Sequence, residues 1–200
     1  MKNFNYKTAS NTKEAIKLFT KKAAFLAGGM TLLPAIKLRL AAYSDLVNIK
    51  KIKSLSGIKA SSKSVKIGSI TTHASVASSE EIKKTIPSIA ALAEGIGDPQ
   101  VRNRGTIGGS VANNDPAADY PSACLALNST IHTNKRKISA DKFFKGMFDT
   151  ALKKGELIEA IEFEIPEKSA YEKFPNPASR YAIVGVFVAK LKNETRVAIT

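Results

Sequence analysis

Apolar residues occur along this chain in short runs, and the first runs predict a strand, a helix and a second strand. Residues 4–6 have an extended pattern. A helix is predicted to begin at Asn11 or Thr12, with Glu14 available to complete a capping box. The apolar pair Phe25-Leu26 is then predicted to end a buried strand. The N-terminal part of the chain is therefore predicted to be a β-α-β unit.

The middle of the chain combines strand and helix patterns. Residues 45–49 are rich in strand-forming side chains, and the serine and lysine residues at 61–64 predict a hairpin tip or a joint between subdomains. Residues 65–68 alternate as a strand does. A helix is predicted near Thr72, and another begins at Pro87, after which apolar residues recur at helical spacing.

Residues 115–119 lead into a short helix that is predicted to run through Leu127, and a later alternating strand ends at Pro166. These patterns divide the chain into three segments. The segments are a first subdomain at 1–55, a second subdomain at 56–168, and the start of a further domain at 169–200.

The last segment is predicted to contain a linker and a hairpin. From Tyr171 the chain is polar and carries two prolines, and strand-like runs follow at 181–189 and 196–200. A lone two-stranded hairpin is only marginally stable. We therefore expect either further residues after Thr200 or docking of the hairpin elsewhere, so that the chain would be an incomplete functional unit.

Two glycine doublets are the most informative local signals. Gly28-Gly29 lies within 27–32 and Gly108-Gly109 within 106–110, and each is predicted to open a tight turn. Glycine permits positive φ and lets consecutive N–H groups converge on an anion. The chain has neither the P-loop motif nor the G-x-G-x-x-G dinucleotide fingerprint. The two doublets together predict one extended, phosphate-containing ligand held between two lobes.

Composition limits the other functional classes. The net charge is +14, but the lysines are scattered and no nucleic-acid motif organises them, which argues against nucleic acid as a partner. The one cysteine, Cys124, lies in an apolar helical pattern and is predicted to be a buried thiol. With His73 and His132 the only histidines, no metal site is expected, and His73 is assigned a structural or supporting role. No apolar run reaches transmembrane length and no signal-peptide core is present, so we expect a cytoplasmic protein.

Taken together and in this order, the motifs resemble the FAD-binding medium subunit of molybdenum hydroxylases, the group that contains carbon monoxide dehydrogenase and xanthine dehydrogenase. The resemblance rests on residues 27–34, 37–40, 67–68, 71–73, 97–109, 115–119, 155–157 and 179–182. It implies an α+β chain with a two-lobed FAD-binding fold of the PCMH type, like that of vanillyl-alcohol oxidase, followed by the beginning of a truncated α+β C-terminal domain.

The resemblance also implies which residues contact FAD, with no catalytic residue and no metal ligand in this chain. They form two runs and three separate positions: Ala27, Gly28, Gly29, Met30 and Thr31; Thr106, Ile107, Gly108, Gly109 and Ser110; Asp119, Leu157 and Tyr181.

The function that the resemblance implies is electron transfer. Partner subunits would carry the molybdenum cofactor and two 2Fe-2S clusters, and FAD on this chain would pass electrons to NAD, oxygen or a quinone. Two alternatives stay open at this point. The chain could be a stand-alone flavin oxidase of related fold, or a remnant that folds without binding flavin.

Overall fold

Three sheets and a two-stranded hairpin organise residues 2–200, the part of the chain that the computed structural model describes. The first sheet is parallel, with strand order β1-β3-β2, and helices connect its strands. Its elements are β1 (Asn5–Thr8), α1 (Thr12–Leu18), β2 (Ala23–Leu26), α2 (Leu32–Lys37) and β3 (Asp45–Asn48), followed by a 3-10 helix (Lys53–Leu55). The predicted β-α-β unit is confirmed.

The start of α1 shows why the local signals predict it well. The side chain of Asn11 accepts a hydrogen bond from the N–H of Glu14 at 2.9 Å. The Glu14 carboxylate in turn accepts the N–H of Ser10 at 2.8 Å. The capping prediction is confirmed, with the glutamate reaching one residue further back than expected.

The second sheet has five antiparallel strands in the order β4-β5-β10-β6-β7, and helices cover one of its faces. The elements of this region are β4 (Ile58–Ala60), β5 (Ser64–Gly68), α3 (His73–Ser78), α4 (Glu80–Thr85), α5 (Pro87–Glu94), α6 (Pro99–Arg104), α7 (Ile107–Asn113), α8 (Asp119–Ala126), β6 (Thr130–Thr133), β7 (Lys137–Ser139), α9 (Ala140–Phe143), β8 (Phe144–Gly146), β9 (Asp149–Thr150) and β10 (Ile158–Glu164). Strands β8 and β9 form the separate hairpin.

The third sheet corrects the prediction for the C-terminal segment. It has three antiparallel strands in the order β11-β12-β13, rather than a hairpin preceded by a linker. They are β11 (Lys168–Pro175), β12 (Ala182–Lys190) and β13 (Thr195–Ile199). Tyr171, predicted to begin a linker, lies within β11, an edge strand whose lysines and terminal proline hide its alternation.

Two groups of buried apolar residues form the core. One belongs to the first sheet and also includes Ile70 and Leu157. The other joins the second sheet and its helices to the third sheet through Phe187, Ala189 and Ala198. Cys124 is fully buried in this second group, as predicted. Among the described residues, none of the helices is long and apolar enough to cross a bilayer.

Candidate functional site

A cleft of about 1160 Å³ runs between the first sheet and the helices of the second region. One wall comes from the loop between β2 and α2, and the opposite wall from α6, α7 and the start of α8. Typical small-molecule sites occupy roughly 300–1,000 Å³. A cleft of this size therefore suits an extended ligand that reaches both walls.

The cleft brings together almost all of the residues that the sequence analysis selected. Ile107 differs, because its side chain is fully buried in the core behind the wall. The other twelve line the cleft: Ala27, Gly28, Gly29, Met30, Thr31, Thr106, Gly108, Gly109, Ser110, Asp119, Leu157 and Tyr181.

The first glycine doublet forms the turn that the sequence predicts. Gly29 has φ +77°, which strongly favours glycine. Among residues 2–200, the backbone N–H groups of Gly28, Gly29, Met30 and Thr31 have no hydrogen-bond partner. Four consecutive unpaired donors beside a residue with positive φ are suited to an anion such as phosphate.

The second glycine doublet departs from its prediction, because it lies in the first turn of α7 rather than in an open loop. Its donors are already used. The N–H of Gly108 bonds Ser69 O at 2.8 Å, and the N–H of Gly109 bonds the Thr106 hydroxyl at 3.1 Å. A Cβ on Gly108 would lie 2.5 Å from the Cβ of Ser69, so close packing requires this glycine. The second doublet thus supplies no free donors, and only Gly109 leaves a position on the cleft side of α7 without a side chain.

Two buried polar atoms in the cleft residues have no partner within the described chain: Ser69 Oγ and His73 Nδ1. Burial lowers the pKa of His73 to about 4, with a further contribution from the Arg102 charge, so the imidazole is neutral near pH 7. An unpaired buried polar atom costs about 1–3 kcal/mol, which a ligand in the cleft could offset. The sequence analysis did not select Ser69, and its surroundings carry no motif that would have done so.

Asp119 lies at the first position of α8 and is buried. Lys173 of β11 places its ammonium group 2.9 Å from the carboxylate, and the hydroxyl of Tyr171 donates to the same carboxylate. Burial and the nearby carboxylate raise the pKa of Tyr171. Sequence analysis missed both partners, because neither belongs to a recognised motif.

The loop from 151 to 157 closes one side of the cleft and is held by a buried carboxylate. Glu156 accepts hydrogen bonds from Arg136 Nε at 2.9 Å, from the Thr133 hydroxyl at 2.8 Å and from the N–H of Lys153 at 2.8 Å. Arg136 is the main reason that the pKa of Glu156 is lowered to about 2. This network fixes the backbone that presents Leu157 to the cleft.

Comparison with known families decides the assignment. Residues 2–168 match the family described as the FAD binding domain in molybdopterin dehydrogenase. The chain belongs to this family. It is therefore the FAD-binding subunit of an oxidoreductase of the molybdenum hydroxylase family, as the resemblance implied.

The similarity to individual relatives supports the same family assignment. The glyceraldehyde dehydrogenase medium chain of Sulfolobus acidocaldarius is 37% identical over 198 residues, which cover 94% of this chain and 70% of that one. The carbon monoxide dehydrogenase medium chain of Hydrogenophaga pseudoflava is 34% identical over 207 residues, covering 98% and 71%.

The solved structures confirm the fold class. A carbon monoxide dehydrogenase structure from Hydrogenophaga pseudoflava superposes with a TM-score of 0.94 and 34% identity, over 100% of this chain and 75% of that one. A quinoline 2-oxidoreductase from Pseudomonas putida 86 superposes with a TM-score of 0.92 and 28% identity. The α+β, FAD-binding architecture is thus confirmed.

The residues of this FAD-binding domain fit the cofactor. A pyrophosphate needs donors without competing partners, and the loop from Gly28 to Thr31 has them. A dinucleotide also needs a long cleft, and this one has a volume of about 1160 Å³. Leu157 and Tyr181 add apolar and aromatic surface for a planar ring.

Proposed function

We propose that this chain is the electron-transfer subunit of a molybdenum hydroxylase complex. Bound FAD would supply the redox chemistry, receiving electrons that originate at a molybdenum centre and arrive through 2Fe-2S clusters on partner subunits. The observation that carries the proposal is one cleft lined by both glycine doublets, with unpaired N–H donors on one wall and, at Gly109, a position without a side chain on the other.

Each part of the cleft has a proposed task. The N–H groups of Gly28 to Thr31 bind the pyrophosphate, and Thr106, Gly108, Gly109 and Ser110 let the cofactor approach the opposite wall. Ile107 supports that wall from the core. Asp119 accepts a hydrogen bond from the cofactor, while Leu157 and Tyr181 contact its ring systems.

The relatives support the placement of this chain in a complex. They include the medium chains or subunits of glyceraldehyde dehydrogenase, carbon monoxide dehydrogenase and nicotine 6-hydroxylase, the beta subunit of caffeine dehydrogenase, and the FAD-binding subunit of xanthine dehydrogenase. Similar FAD-binding chains therefore serve very different substrates. We infer that substrate choice is made on a partner subunit, and that this chain's task is to deliver electrons to a small acceptor such as NAD, oxygen or a quinone.

Rapid-mixing absorption spectroscopy on the purified complex tests this proposal. Adding substrate should bleach the cluster bands and then the flavin bands. In complex stripped of FAD, the clusters should still be reduced, but transfer to the acceptor should stop. If the isolated chain alone oxidises the substrate, the proposal fails in favour of a stand-alone flavin oxidase.

A further inference from the structure

A buried ion pair joins the third sheet to the wall of the cleft. The ammonium group of Lys173 lies 2.9 Å from the carboxylate of Asp119, and their side chains are only 9% and 5% exposed. Lysine and aspartate are almost never buried at this level unless they are paired. Lys173 also donates to the carbonyl oxygen of Gly95 at 3.1 Å, just after α5. The pair therefore fixes β11 against two helices of the cofactor-binding region.

Tyr171 holds the same carboxylate from a second direction. Its hydroxyl donates to Asp119 Oδ1, and its ring stacks on Phe187 with 5.9 Å between centroids. The hydroxyl lies over Gly185, where a Cβ would be 2.5 Å away. Gly185 therefore leaves the space that Tyr171 needs to reach the carboxylate.

The contacts leave part of the carboxylate available. Two carboxylate oxygens can accept about four hydrogen bonds. Oδ1 receives Tyr171 and Lys173, and Oδ2 receives Lys173 at 3.1 Å. Within the described chain, Oδ2 thus keeps an acceptor position, and Asp119 lines the cleft. Only a group that donates a hydrogen bond, such as a hydroxyl, can satisfy it.

The place of Asp119 in the cleft indicates which hydroxyl this is. Tyr181 lines the same cleft and directly precedes β12, which packs against α8, the helix that Asp119 begins. In the proposed function, Tyr181 contacts the flavin ring. The hydroxyl groups closest to a flavin ring are those of the ribityl chain.

We propose that Lys173 and Tyr171 are positioning residues, which aim the Asp119 carboxylate at a ribityl hydroxyl of FAD and so make the third sheet part of the cofactor site. This inference rests on the proposed function, because it requires FAD in the cleft.

The test compares FAD dissociation constants for the full-length chain and four variants: Lys173→Met, Tyr171→Phe, Asp119→Ala and the Lys173→Met/Asp119→Ala double variant. The loss of one oriented hydrogen bond should raise the dissociation constant about tenfold in Lys173→Met. In the Asp119→Ala background, the same lysine change should have no further effect, because its target is gone.

The control variant is Arg196→Met. Arg196 of β13 pairs with Asp141 and bonds Asn128, so it also fastens the third sheet, but away from Asp119. If Lys173 merely stabilised the sheet, Arg196→Met would weaken FAD binding as much as Lys173→Met does. We expect the control to stay within about twofold of the wild type, since about 0.4 kcal/mol corresponds to that factor.

A second ligand separates the ribityl chain from the rest of FAD. ADP lacks the ribityl group, so its dissociation constant should be equal in Lys173→Met and wild type. An equal loss for ADP and FAD would overturn the ribityl assignment.

Circular dichroism establishes that each variant is folded at the temperature of the titration. If Lys173→Met does not fold, Tyr171→Phe carries the test, with a smaller loss of FAD affinity expected. A folded variant with wild-type FAD affinity would overturn the inference while leaving the proposed function intact. A folded wild-type chain that binds no FAD would instead overturn the proposed function.

Discussion

Gly28 lies directly against the backbone of Arg104, and a Cβ on Gly28 would be 2.1 Å from the Arg104 carbonyl oxygen. This contact joins the loop after β2 to the end of α6, so it brings the two walls of the cleft together. The glycine is required here by the close approach of two backbones.

Replacing Gly28 by alanine should therefore disturb the cleft itself. We expect Gly28→Ala to force the walls apart and to weaken FAD binding by at least tenfold, because neither backbone can yield as a side chain can. Fluorescence titration with FAD measures the change. The control is Gly57→Ala, at a glycine with φ +110° and no atom within 4 Å of the added Cβ. It should cost about 1–3 kcal/mol of stability through backbone strain and leave FAD affinity unchanged. Equal affinities for the two variants would contradict the account.

A substitution at Gly109 tests whether FAD approaches the wall formed by α7. It is exposed on the cleft side of α7, where an added Cβ would meet only the Thr106 hydroxyl, at 3.0 Å. Gly109→Val should exclude FAD from a folded protein, as judged by loss of flavin absorbance after gel filtration. Gly146→Val introduces the same side chain at a glycine with open space around it and should keep its flavin. Normal FAD content in folded Gly109→Val would mean that this wall does not contact the cofactor.

The Glu156 network should control the loop that carries Leu157. Arg136→Met removes the main partner of a buried carboxylate, so we expect a loss of about 1–3 kcal/mol in unfolding free energy and weaker FAD binding. Arg136→Lys keeps the charge but loses the forked geometry of the guanidinium group. It should therefore restore only part of the unfolding free energy and part of the FAD affinity. Chemical denaturation and FAD titration measure the two effects. Wild-type values for both in Arg136→Met would show that the network does not hold the loop.

The lowered pKa of His73 predicts that the stability of the protein depends on pH. The pKa of His73 is lowered from 6.5 to about 4 in the folded protein. Between these two pH values the unfolded chain therefore binds a proton that the folded protein does not. Stability contributed by neutral His73 is present above pH 6.5 and is lost as the pH falls toward 4, by about 3 kcal/mol in total. Urea denaturation across this range should show a smaller loss for His73→Gln than for the wild type. Parallel curves would contradict a neutral, buried imidazole.

The sequence predicts those parts of the fold whose signals are local. The cap at Asn11, the proline that begins α5 and the alternation in β5 each depend on neighbours within a few residues. The turn at Gly28-Gly29 belongs to the same class. The division at residues 1–55, 56–168 and 169–200 stays a prediction, as do the individual FAD contacts.

Other features depend on contacts between distant segments. The N–H of Gly108 bonds Ser69 and the N–H of Ile107 bonds Thr71; both partners lie after β5, and only the fold brings them to α7. Lys173 and Asp119 are 54 positions apart, and the lysine resembles many solvated lysines in a chain with a net charge of +14. The strand pattern of β11 also depends on a distant contact. Its polar residues suggest a linker until β12 is paired with it.

The central claim is that this chain binds FAD, noncovalently, in the cleft between its two glycine doublets. The most direct measurement is to denature the purified native protein and identify the flavin that is released, by chromatography and mass spectrometry. The account predicts about one FAD per chain, fully released. The two walls suit a pyrophosphate, no cysteine of the described chain lines the cleft, and the histidine that does, His73, is buried. FMN in place of FAD, flavin that stays attached to the unfolded chain, or a folded protein without flavin would contradict it.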